Sequence, residues 1–156
     1  MATIRLPSDF KEFLKSLNAH DVHYLIVGGY AVGYHGYPRA TIDLDVWIDR
    51  DPRNAERLVR VVREFGFDVP DLSPDVFMAD RKIVRLGRPP LRIEVMTAAS
   101  GIEFRQCYER RVRAVLDEVP ADFISLPDLR RNKRAAGRNK DINDLENLPG
   151  LDAPQR

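Results

Sequence analysis

Residues 24–49 read YLIVGGYAVGYHGYPRATIDLDVWID, and their pattern decides how the rest of the chain is read. Residues 23–27 (HYLIV) form an apolar run of the length and composition of a buried strand. Gly28-Gly29 breaks it, and residues 30–35 suit a short helix. Residues 41–49 then alternate strictly. Ile42, Leu44, Val46 and Ile48 fall on one face and Asp43, Asp45 and Trp47 on the other, because successive side chains of a strand point to opposite faces. The unit is strand, glycine break, short helix, strand, with two carboxylates on one face of the second strand.

Around this unit the chain alternates helix and strand signals. Upstream, Ser8 or Asp9 is placed to cap a first helix whose apolar face is Phe10, Phe13, Leu14 and Leu17. Downstream, Asp51-Pro52 opens a helix with the stripe Ala55, Leu58, Val59, Val62 and Phe65, ending at Gly66. Residues 67–69 read as a short strand and 70–75, with two prolines, as a loop. Residues 82–86 and 91–96 read as a hairpin across 87–90. A helix is expected over 102–111, short strands over 112–115 and 123–125, and a helix from Leu126-Pro127 that Gly137 interrupts. A last helix spans 141–148. Strands and helices mix without a regular βαβ alternation, which predicts an α+β domain with a mixed sheet over residues 1–150 and a frayed tail at 151–156.

The chain has 156 residues, 44% of them hydrophobic and 31% charged, enough apolar sequence to bury a core without covalent staples. A single cysteine, Cys107, excludes an internal disulfide and reads as a small buried apolar residue. The first ten residues lack the apolar region of a signal peptide, and no stretch has the apolar length of a membrane span. The expected location is the cytoplasm, with no membrane partner. Net charge is only +1, but it is unevenly spread. Acids gather at Asp43, Asp45, Asp49 and Asp51, while residues 130–140 (RRNKRAAGRNK) form a basic run. The three histidines, His20, His23 and His35, share no metal-ligand spacing.

Two aspartates side by side on an otherwise apolar strand repel each other and raise each other's pKa unless something neutralises them. A divalent cation does so, and Mg²⁺ favours carboxylates with its other positions left to waters and phosphates. A strand ending in Gly-Gly before a helix presents backbone N–H groups to an anion. An anion site and an Asp-x-Asp metal site on successive strands suit a metal–triphosphate ligand. In residues 92–96 (RIEVM), Glu94 stands alone between Ile93 and Val95. If that strand lies beside the aspartate strand, three carboxylates converge, as an in-line phosphoryl displacement with two metal ions requires. Lys133 and Arg138 in the basic run, and Arg39 ahead of the aspartate strand, are candidates to pair with phosphates.

The segment 24–49 resembles the nucleotidyltransferase (DNA polymerase β-like) superfamily, and most of all the minimal bacterial proteins related to abortive-infection nucleotidyltransferase toxins. The family pattern of Gly-Gly, spacer helix and Arg-x-Thr-x-Asp-hydrophobic-Asp falls on Gly28, Gly29, Arg39, Thr41, Asp43 and Asp45. A later strand supplies the third acid, matched by Glu94. The segment FISLPDLRRNKRAAGRNKDINDLENL is similar too, with Lys133, Arg138, Asp141 and Asp144 on motif positions. The resemblance implies a mixed-sheet nucleotidyltransferase fold with flanking helices and a small C-terminal helical part. It implies Asp43, Asp45 and Glu94 as catalytic Mg²⁺ ligands (Mn²⁺ as the alternative ion), and Gly28, Gly29, Arg39, Thr41, Lys133 and Arg138 as nucleotide contacts. The implied reaction is NMP transfer from an NTP, with pyrophosphate release, to an RNA (such as tRNA) or protein acceptor. The implied setting is a toxin with a cognate antitoxin protein. The alternative is a non-catalytic nucleotide-binding or antitoxin-like interaction module that kept the fold.

Overall fold

A computed structural model describes residues 5–68, 70–87 and 90–150. The strand β1 (Tyr24–Val27) is buried at all four positions, as a strand is when both its faces are covered. It runs antiparallel to β2 (Asp43–Ile48) on one side and parallel to β6 (Val119–Phe123) on the other. The full mixed sheet has six strands in the order β3 (Ile83–Leu86), β4 (Arg92–Met96), β2, β1, β6, β5 (Val112–Leu116). β4 lies parallel to β2 and antiparallel to β3, and β5 is antiparallel to β6. This is the α+β, mixed-sheet architecture that the lack of βαβ alternation predicts.

The alternation of β2 is realised over residues 43–46, while Ile42, expected on the apolar face, lies just ahead of the strand and is exposed. Leu44, Val46 and Ile48 are completely buried, whereas Asp43 and Asp45 on the opposite face are only partly so. Trp47, on the aspartate face, is buried as well and meets Phe104 edge-on at 5.1 Å. Phe104 opens α5 (Phe104–Glu109), which therefore covers the aspartate face beyond the carboxylates. The apolar stripe of α1 (Ser8–Ala19), namely Phe10, Phe13, Leu14 and Leu17, is buried as expected, with α1 packed on α3 (Pro52–Glu64) and β6. The C-terminal helices α6 (Leu126–Ala136) and α7 (Asn139–Asn147) pack on each other, with Gly137 at φ +64 closing α6.

Several local expectations need correction. α1 starts at Ser8 behind Pro7, without a side-chain cap from Ser8 or Asp9. The short helix α2 (Gly28–Tyr34) begins at the glycines themselves rather than after them. Residues 67 and 68 form no strand, and Val69 lies outside the described residues, as do the expected tail 151–156 and two residues of the 87–90 loop. Within the expected 70–75 loop, Ser73-Pro74 starts α4 (Pro74–Met78), with proline in the first turn where its missing N–H costs nothing. The last strand is 119–123 rather than 123–125, because the chain reverses at Asp117-Glu118. Both residues have positive φ, +48° and +72°, as a type I′ hairpin turn requires. Among the described residues, no helix is long and apolar enough to cross a membrane.

One buried polar side chain joins the ends of the two central strands. Asn54, 4% exposed in the first turn of α3, accepts from His23 N at 2.8 Å and donates to His23 O at 3.1 Å and Asp49 O at 2.9 Å. At about 0.5–1.5 kcal/mol net for each hydrogen bond, Asn54→Ala is expected to cost roughly 2–4 kcal/mol. Urea unfolding of the two proteins measures this, with the slope of the transition unchanged.

Candidate active site

Asp45 is the centre of the acidic face. In the parallel pairing of β2 with β4 its Cα partner is Glu94, and Asp43 is opposite Arg92. The expected adjacency of the two strands is therefore observed, and it brings the Glu94 carboxylate beside that of Asp45. Burial pushes the Asp45 carboxyl up from 3.8 to about 7, with the charges of Glu94 and Asp43 adding to the rise, and Lys140 opposing it. Two oxygens of this face, Asp43 Oδ1 and Asp45 Oδ1, are buried and have no hydrogen-bond partner among the described residues. Unpaired buried anionic oxygens are costly, and hard carboxylate oxygens are what Mg²⁺ or Mn²⁺ takes. Asp43 and Asp45 therefore offer two donors of the kind such an ion takes.

Glu94 stands differently. β3 places Arg85 opposite it, and Arg85 Nε donates to Glu94 Oε1 at 3.2 Å. Among the described residues, no three His, Cys, Asp or Glu side chains close into an ion-holding group. Asp43 and Asp45 thus present the open oxygens, while the third acid is turned partly toward a guanidinium.

The glycines serve the aspartate strand directly. Gly28 has φ +67°, and a Cβ there would overlap Asp45 Oδ2, so the Asp45 carboxylate fills the place of the missing side chain. A Cβ on Gly29 would lie 2.8 Å from Thr41 Oγ1. Thr41 in turn bonds the backbone of Asp43, donating from Oγ1 to Asp43 O at 3.2 Å and accepting from Asp43 N at 3.4 Å. Gly28, Gly29, Thr41, Asp43 and Asp45 therefore form one packed unit. The demand for glycine arises inside the protein, beside whatever ligand approaches from outside.

The basic residues separate into two groups. Lys133 is buried, 4% exposed, and binds Asp141 Oδ1 at 3.1 Å and Asp144 Oδ2 at 3.0 Å. Arg39 grips Asp144 with two bonds of 2.9 and 3.0 Å, and Arg138 grips Asp141 with bonds of 2.7 and 3.2 Å. Burial pushes the Asp141 carboxyl up, but the bonds from Arg138 and Lys133 outweigh it and hold it below the usual range. These three cations, expected at phosphates, are placed in a network that ties the start of β2 to α6 and α7. Lys140, which the sequence reading did not single out within the basic run, is different. It is exposed, makes no ion pair among the described residues, and its charge is felt at Asp45. His35 does not line the site, because its Nε2 meets Ile124 O at 2.6 Å and its ring is packed against Tyr34.

No family model and no curated protein matches the sequence. The similarity lies in three dimensions. A candidate nucleotidyltransferase of Thermotoga maritima aligns over 88% of this chain and 88% of its own, with a TM-score of 0.61 at 16% identity. An antigenic nucleotidyltransferase-like protein of Paracoccidioides brasiliensis aligns over 94% of this chain and 81% of its own, with a TM-score of 0.52 at 22% identity. The fold is that of the nucleotidyltransferases. Within this nucleotidyltransferase fold, the carboxylates of β2 and β4 share one face beside the Gly28-Gly29 turn.

The raised Asp45 pKa sets a pH dependence. The folded state keeps a proton that the unfolded chain releases near its ordinary value, so ionising Asp45 destabilises the metal-free protein as pH rises from about 4 to about 7. Asp45→Asn removes this penalty. Its stability advantage over the wild type in urea is expected to be near zero at about pH 4, to grow through the interval and to be largest above about pH 7. The buried network predicts the opposite sign. Lys133→Met leaves two buried carboxylates short of a cation and is expected to cost on the order of 3 kcal/mol, read from the same denaturation curves.

Proposed function

We propose that the chain is a Mg²⁺-dependent nucleotidyltransferase, with Mn²⁺ as an alternative ion, that transfers NMP from an NTP to an RNA such as tRNA or to a protein acceptor. The observation that carries this reading is the pair of buried, unbonded oxygens Asp43 Oδ1 and Asp45 Oδ1 on a strand paired in register with Glu94. Asp43 and Asp45, with Glu94 once it is released from Arg85, are the residues to hold the ion. A divalent cation bound there neutralises phosphate charge and polarises the bond to be broken.

The remaining work falls to this chain's own groups. Thr41 fixes the backbone of Asp43, and Gly28 lets the Asp45 carboxylate lie against the turn, so both acids are held before a ligand arrives. An NTP brings more negative charge than one cation cancels, and two exposed bases without an ion pair among the described residues are near the acids: Lys140, whose charge is felt at Asp45, and Arg92, opposite Asp43. Lys133, being buried, is assigned to the network that positions α7, and hence to the placement of Lys140. A role as the toxin of a toxin–antitoxin or phage-defence pair in the cytoplasm, with a cognate antitoxin protein as partner, rests on the sequence resemblance and belongs to the same proposal.

Incubation with labelled NTPs, Mg²⁺ and total RNA tests the reading. Label is expected to appear on RNA or on protein, to require the metal, and to vanish in Asp45→Asn. Lys140→Ala is expected to weaken NTP binding about tenfold, the size of one hydrogen bond to a charged group, without changing stability. NTP binding with no transfer to either acceptor would leave a nucleotide-binding module, and no NTP binding at all would overturn both readings.

A further inference from the structure

A cavity of about 1050 Å³ lies between the start of β3, the 98–103 loop, α5 and α6. It is on the acidic face of the sheet but beyond the acids. Ile83, on its wall, pairs with Met96, two residues along from the Arg85–Glu94 pair, or roughly 7 Å at about 3.3 Å per residue. Its floor is an arginine pair organised from below. Asp128, completely buried, accepts Arg110 Nε at 3.0 Å and Nη2 at 2.9 Å, Arg131 Nη1 at 2.8 Å and Ser125 Oγ at 3.0 Å. One carboxylate therefore fixes two guanidinium groups and neutralises only one of them. Arg110 Nη1, and Arg131 Nε and Nη2, donate to nothing among the described residues, and the two side chains are 49% and 54% exposed.

The opposite wall is Arg81 and Lys82, both exposed and without an ion pair among the described residues. Of the other acids lining the cavity, Asp80 is already paired with Arg50 at 3.2 Å, which leaves Glu103. Guanidinium forks held rigid on one side and open on the other match a ligand with several acceptor oxygens and a full negative charge, which is the chemistry of phosphate. The volume is at the upper end of what a small molecule fills, about 300–1,000 Å³, so more than one phosphate group fits.

We propose that this cavity binds phosphate groups through Arg110 and Arg131, with Arg81 and Lys82 closing the opposite side. The phosphate is carried either by a small phosphorylated compound or by a single-stranded polynucleotide lying along the sheet toward the acids. The site uses none of Asp43, Asp45 and Glu94, so it stands or falls independently of the proposed transferase chemistry.

The test is a titration of the full chain, at constant ionic strength, with inorganic phosphate and separately with single-stranded hexauridylate, followed by amide and arginine Nε resonances. The expected result is saturable shifts at Gly101, Gln106 and Arg131 with at least one probe. Arg131→Gln is expected to weaken that binding about tenfold, with Asp128 still held by Arg110 and Ser125. Lys82→Gln, an exposed change that leaves the core untouched, is expected to weaken it several-fold. Asp45→Asn is expected to leave it unchanged. Tighter binding of the oligonucleotide, with an affinity falling as salt rises by about 0.7 log units per log unit for each phosphate held, assigns the strand. Comparable binding of free phosphate assigns the small compound. Three results would overturn the proposal: no saturable shift with either probe, unchanged affinity in both cavity variants, or loss of the shifts in Asp45→Asn.

Discussion

The contact on which the site depends is that of the Asp45 carboxylate with the backbone of Gly28. Asp45 is held in β2 by β1 on one side and β4 on the other, and its side chain has one place to go, against the turn that ends β1. The carboxylate fits only because the residue there has no side chain and takes a left-handed conformation that other residues adopt at a cost. From this contact follow the abrupt end of β1, the start of α2 at the glycines and the position of Thr41 against Gly29. An acid that must stay partly dry is thereby fixed within the sheet, and burial together with the charges of Glu94 and Asp43 raises its pKa.

A second set of charges does structural work of another kind. Arg39, Lys133 and Arg138 converge on Asp141 and Asp144, which are 0% and 1% exposed. The network reaches from the segment before β2 to the two C-terminal helices. It lets α7 present Lys140 toward the acids although the helices themselves have few apolar residues to anchor them: α6 buries only Leu126 and Leu129 of its apolar residues, and the buried residues of α7 are the two aspartates. Basic residues close to a carboxylate site in sequence pattern are thus divided between those that build the scaffold and those that face solvent.

Much of this was legible in the sequence because it rests on short-range rules. The alternation of residues 41–49 showed the face of Asp43 and Asp45, and the hairpin brought Glu94 into view. What escaped depends on pairing between distant segments. Arg85 sits opposite Glu94 through the hairpin register, which is readable only once both strand ends are fixed. The burial of Lys133 depends on two acids from the next helix, and a run of bases carries no mark of which member faces inward. The turn at Asp117-Glu118 lacks the glycine or asparagine that usually signals positive φ. There the Asp117 carboxylate accepts from Leu6 N at 2.9 Å, a tertiary contact that helps hold an otherwise unfavourable conformation. The arginine pair on Asp128 combines two helices and a loop, and no local pattern announces it.

The parallel pairing of β2 with β4 has a consequence for how the protein forms. Parallel neighbours cannot be joined by a tight turn, so β3 and β4 must arrive beside β2 after α3 and α4 have been spanned. Pairings between segments far apart in the chain pay their loop-closure entropy before they gain contacts, and they form slowly. Here the arriving hairpin also carries Glu94 toward two fixed aspartates, so the closing step runs uphill against like charge. Arg85 travels on the same hairpin, one strand away from Glu94, and brings its own counter-charge to the encounter. The hairpin that contributes the third acid thus also contributes its counter-ion, so the acidic face is partly neutralised from within the same piece of chain.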